Sequence, residues 1–88
     1  MTLKEAIEIV EKEMNDKVVD GIEYNNCYTF NVEKYIRNAN SCCVFIDKKT
    51  KKVKTIHSIE PVIVNGKDMV SNDELVRFIY SEDIKREG

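Results

Sequence analysis

Eighty-eight residues with 42% apolar side chains make a single globular domain, able to bury a core without metals or disulfides. The charged fraction is 34%, yet net charge is only −2 and the pI is near 5.4, which excludes a general nucleic-acid binder with its dominant basic footprint. No apolar run approaches the ~20 residues of a membrane span, and Met1-Thr2-Leu3-Lys4-Glu5 enters an amphipathic pattern without a signal-peptide core, so the expected compartment is the cytoplasm.

Thr2 and Glu5 have capping-box spacing for a helix from Leu3 to Asn15. Leu3, Ala6, Ile7, Val10 and Met14 recur at helical intervals, while Glu5, Glu8, Glu11, Lys12 and Glu13 take the opposite face. The chain leaves this helix between Asp16 and Val19, and Asp20-Gly21 reads as a turn. Ile22 to Tyr24 and Cys27 to Tyr35 read as strands joined at Asn25-Asn26, residues that tolerate the positive φ of a tight hairpin. In the second strand Tyr28, Phe30 and Val32 share one face, and Cys27, Thr29, Asn31 and Glu33 share the other. That alternation predicts one buried and one wetter face of an antiparallel sheet.

Arg37 to Ser41 reads as a loop, and Cys42 to Asp47 with Val53 to Ile59 as a hairpin around a lysine-rich turn. Pro61 interrupts the strand pattern, and Val62-Ile63-Val64 before Asn65-Gly66 suggests a short edge strand ending in a tight turn. Ser71 and Glu74 repeat the capping-box spacing, with Leu75, Val76, Phe78, Ile79 and Tyr80 as an apolar stripe. A second helix is therefore predicted over Asn72 to Ser81, with Ser81 to Gly88 extending it or fraying. The expected architecture is one α+β domain over residues 1–88. Its N-terminal helix packs on a curved three- to four-stranded antiparallel sheet, with a C-terminal helix following.

Residues able to carry chemistry are sparse. His57 is the only histidine, and a lone strand histidine is ordinarily structural. Cys27, Cys42 and Cys43 lack the C-x₂₋₄-C knuckles of a zinc site, and adjacent cysteines on a strand point to opposite faces, so Cys42 and Cys43 do not bridge each other. In a reducing compartment all three are expected as thiols. Gly21, Gly66 and Gly88 build no phosphate loop. The reading is of a chain that is not an enzyme and takes no metal or cofactor.

Binding is the better prospect. Lys48, Lys49, Lys51 and Lys52, with Lys54, crowd the second hairpin turn. Such a turn ordinarily keeps a sheet edge soluble; functionally it is a positive protrusion for an acidic protein surface. The acidic face of the first helix carries the same two readings. Tyrosines in the first hairpin, Tyr24 and Tyr35 above all, are candidate interface anchors, since tyrosine buries a large area at low entropic cost.

The stretch Leu3-Lys4-Glu5-Ala6-Ile7-Glu8-Ile9-Val10, the pair Tyr28 and Phe30 around Thr29, and the run Val44-Phe45-Ile46-Asp47-Lys48-Lys49-Thr50-Lys51-Lys52-Val53 together resemble the YrhB-like domain of bacterial immunity proteins. The PepSY-like domain is the second resemblance, through the helix and the terminal hairpin. Lys51 stands where both patterns favour glycine. The YrhB-like resemblance implies an immunity protein of a polymorphic toxin system, and neither family supplies a catalytic residue to carry over. The function expected is a non-enzymatic bacterial module that occludes a partner protein, a toxin or host enzyme, with no nucleic acid or membrane as main ligand. The alternatives are a phage or mobile-element inhibitor of a host enzyme, and a small ligand-binding or self-associating accessory domain.

Overall fold

A capped amphipathic helix begins the fold. In the computed structural model, which describes residues 1–37, 42–57, 63–64, 67–68 and 74–87, helix α1 spans Leu3–Met14. The Thr2 hydroxyl accepts the Glu5 N–H at 3.2 Å, as the spacing predicts. The helix stops one residue before its expected end because Asn15 adopts a left-handed C-cap, φ 51° and ψ 46°, a conformation asparagine tolerates. Leu3, Ala6, Ile7 and Val10 are its buried face.

Strands β1 (Val18–Tyr24), β2 (Cys27–Val32), β3 (Cys42–Asp47), β4 (Val53–His57) and, after a gap, β7 (Leu75–Ile79) form one antiparallel sheet in the order β4-β3-β2-β1-β7. The sheet is curled but not closed. Strands β5 (Ile63–Val64) and β6 (Lys67–Asp68) pair separately, on either side of the turn expected at Asn65-Gly66, which lies outside the described residues. Pro61 and Ser71 also lie outside them. Short helix α2 (Glu33–Arg37) follows β2, and α3 (Ser81–Glu87) follows β7. Helix α3 lies against α1 and β1, so both helices share one face of the sheet.

That face is the core. Leu3, Ala6, Ile7 and Val10 of α1 meet Val18, Tyr28, Phe30, Val32, Val44, Ile46 and Ile79, with Ile84 of α3 half-buried at the margin. Tyr28 and Phe30 stack with centroids 5.5 Å apart and planes 10° from parallel. The expected contrast between the two faces of β2 is weaker than alternation predicts. Cys27, Thr29 and Phe45, which point away from the helices, are also buried. The far face is open instead at β7, where Leu75, Val76, Phe78 and Tyr80 are exposed.

Three expectations need correction. Asp20-Gly21 is not a turn: both residues lie in β1, where Val19 is the extra residue of a β-bulge against β2. The bulge changes the strand's parity, so Val18 and Gly21 both face the core. Gly21 is needed there, because a Cβ would sit 2.4 Å from the Thr29 carbonyl oxygen and 2.7 Å from Cδ1 of Phe30. The strand from Cys27 also stops at Val32 instead of Tyr35. Asp16 turns the chain into α2 by accepting the Lys34 N–H at 2.9 Å.

The third correction is the largest. Leu75–Ile79 is a strand, not part of a helix over Asn72 to Ser81, and the helix begins where the predicted one ends. The run Leu75-Val76-Arg77-Phe78-Ile79-Tyr80 has one charged residue in six and is rich in β-branched and aromatic side chains, so it has no polar helical face. Pairing with β1 satisfies the backbone groups on its inner side and seats Ile79, 1% exposed, in the core. The sheet consequently has five strands where three or four were expected. Helix α3 is then held at its start by Asp83, whose carboxylate accepts the Tyr80 N–H at 2.9 Å.

Candidate docking surface

The lysine turn is locked by its first residue. Asp47 is 6% exposed, and its Oδ1 accepts the N–H of Lys49 at 2.7 Å and of Thr50 at 2.9 Å. The Asp47 carbonyl accepts the Lys51 N–H at 2.8 Å, and the Asp47 N–H reaches the Lys52 carbonyl at 3.1 Å. Closing this loop puts Lys51 at φ 63°, the left-handed region where glycine is at ease and a lysine is strained. Lysine thus occupies a glycine-favouring position in a turn with a fixed shape.

The four candidate lysines share the turn but not its environment. Lys48 is tied down: its N–H donates to the Asn26 carbonyl at 3.0 Å, and its Nζ donates to Glu23 Oε2 at 2.7 Å. The same ammonium lies 4.8 Å from the centroid of the Tyr28 ring. Lys51 reaches Glu5 of α1 at 3.5 Å, an exposed pair of little energetic weight. Lys49, Lys52 and Lys54 project into solvent and have no carboxylate partner among the described residues. The basic turn and the acidic helix, which the sequence suggests as separate faces, therefore touch at Lys51 and Glu5.

Glu23 was not singled out by sequence, and it organises this end of the sheet. Its other oxygen accepts Nε of Arg77 on β7 at 2.9 Å, so one carboxylate with a 15%-exposed side chain serves two cations. Burial pushes the Glu23 carboxyl up, but the hydrogen bonds from Lys48 and Arg77 outweigh it and hold the group below the ordinary carboxylate range. Burial, and then the Glu23 charge, push the Tyr28 phenol up. The signal that could have exposed Glu23 is positional: it stands directly opposite Tyr28 in the β1–β2 ladder.

The tyrosine candidates separate. Tyr24 ends β1, half-buried and paired across the ladder with Leu75, near the lysine turn's side of the sheet. Tyr35 lies on α2, packed against the core margin, with Lys34 Nζ 5.9 Å from its ring centroid. That is the opposite end of β2 from the turn, so Tyr35 does not join the lysines on one surface. The side chains of Cys42 and His57 lie outside what is described; Cys27 is buried and Cys43 half-buried. Among the described residues, no three His, Cys, Asp or Glu side chains gather as metal ligands, and no helix is long and apolar enough to cross a membrane. Comparison of the chain with protein-family models, curated proteins and solved structures finds no match.

Proposed function

We propose that this chain is a non-enzymatic, cytoplasmic protein-binding module of bacterial type, an immunity or inhibitor protein that covers a functional surface of its partner. The observation that carries this reading is the shape-locked turn presenting Lys49 and Lys52, with Lys54 beside it on β4, all without carboxylate partners among the described residues. A turn already held by Asp47 loses little backbone entropy when it docks, leaving only the lysine side chains to be ordered. Exposed lysines at a rim raise association rate and select orientation more than they add affinity, which suits a partner with an acidic surface. Lys48 supports the platform from beneath, and Tyr24 is the nearer of the two tyrosine anchors.

Affinity capture of the tagged protein from extract of its source cell, at low and moderate salt, tests the reading against a Lys49→Glu/Lys52→Glu variant. One protein retained stoichiometrically by the wild type and lost by the variant is the expected result, with weaker capture at the higher salt. Capture that ignores the charge reversal, or none at either salt, overturns it.

A further inference from the structure

We infer that β7 is a self-association edge, at which a second copy of this chain adds its own β7 antiparallel to form one continuous sheet about a two-fold axis. The two edges of the sheet are unlike. Strand β4 is flanked by Lys52 and carries Lys54, exposed cations of the kind that discourage edge pairing. Strand β7 has one cation, Arg77, and its guanidinium is turned onto Glu23 of the neighbouring strand. Among the described residues nothing pairs with the outer side of β7.

The far face of that edge is apolar. Leu75, Val76, Phe78 and Tyr80 are 47%, 52%, 54% and 61% exposed. The ladder explains their grouping. Ile79 and Arg77 point to the helix side, so Phe78 and Tyr80 point away, and the register shift that bulges Val76 brings Leu75 opposite Tyr24 on the same far face. Edge pairing turns one flank of each of these side chains toward the second strand and leaves the rest in water, so the dimer is held mainly by the backbone ladder with its cross-strand pairs and is weak and reversible.

Symmetry makes the match self-complementary. With the axis at Phe78, the two Phe78 rings oppose each other and each Val76 faces Tyr80 of the second copy, both favourable cross-strand pairs. Arg77 then lies opposite Ile79 instead of a second arginine, and its charge is already met by Glu23. The surface is distinct from the exposed lysines, at the other edge of the sheet.

Sedimentation of the full chain across a broad concentration range tests the inference, with Phe78→Lys and Val76→Lys compared at matched concentrations and their folding checked by thermal unfolding. A reversible dimer is expected, weakened about tenfold or more in each folded variant and unchanged in Lys49→Glu/Lys52→Glu. A monomer at every concentration, or a dimer that tolerates both substitutions on β7, overturns it. If either β7 variant fails to fold, the other still decides the question, and concentration-dependent amide protection of β7 in the wild type provides a second readout: constant protection counts against the dimer.

Discussion

Glu23 and Arg77 face each other across the β1–β7 ladder with Oε1 and Nε 2.9 Å apart, and the same carboxylate holds Lys48 at 2.7 Å. The turn after β3 and the last strand, separated by two intervening strands, are joined through one side chain. Removing it leaves two cations beside the buried Tyr28. Glu23→Ala is expected to destabilise the fold by about 1–3 kcal/mol, with half-exposed Arg77 giving the smaller part. Urea unfolding measures it, and a change within error would mean that water replaces the carboxylate without penalty.

The same group makes stability depend on pH. A carboxyl held below its unfolded value contributes stability that is present above that value and is lost as pH falls through the folded one. Unfolding free energy is therefore expected to decline as pH falls through and below the ordinary value of 4.5. Glu23→Gln should show a shallower decline. Equal slopes in the two proteins would assign the acid sensitivity to other carboxylates.

Gly21 tests the bulge. An added methyl meets backbone at the Thr29 oxygen and the ring of fully buried Phe30, neither of which can retreat freely. Gly21→Ala is expected to cost about 1–3 kcal/mol by thermal or urea unfolding. A neutral result would show that β1 can slide relative to β2.

Lys51 tests the turn from the opposite direction. Its left-handed backbone costs a lysine about 1–2 kcal/mol, and glycine loses about 0.4–1 kcal/mol more entropy on folding. Lys51→Gly is thus expected to stabilise by about 0.5–1 kcal/mol, while the exposed pair with Glu5 contributes little against it. A less stable variant would mean that the Lys51–Glu5 contact outweighs the strain.

Charge reversal should separate lysines that look equivalent in sequence. Lys49→Glu and Lys52→Glu are expected to leave the unfolding midpoint unchanged, because both side chains stand in solvent. Lys48→Glu should lower it clearly by placing a second carboxylate against Glu23. If all three behave alike, Lys48 is as solvated as its neighbours, and the junction with Glu23 does not persist in solution.

What the chain determines locally was legible in its residues. Thr2 and Glu5 set the start of α1, Asn25-Asn26 joins β1 to β2, and six polar residues from Asp47 to Lys52 make the β3–β4 turn, because each of these depends on neighbours within a few positions. The lysine turn as an exposed feature was legible for the same reason. What it rests on was not: Lys48 meets Glu23, 25 positions earlier, only because β2 lies between their strands. Leu75–Ile79 shows the limit most clearly. An apolar run without a polar interval is compatible with either helix or strand taken alone, and a nearby Ser-x-x-Glu spacing favours the helix. Tertiary structure decided otherwise, because the open side of β1 offered one side of this run a hydrogen-bonding partner and gave Ile79 a core position.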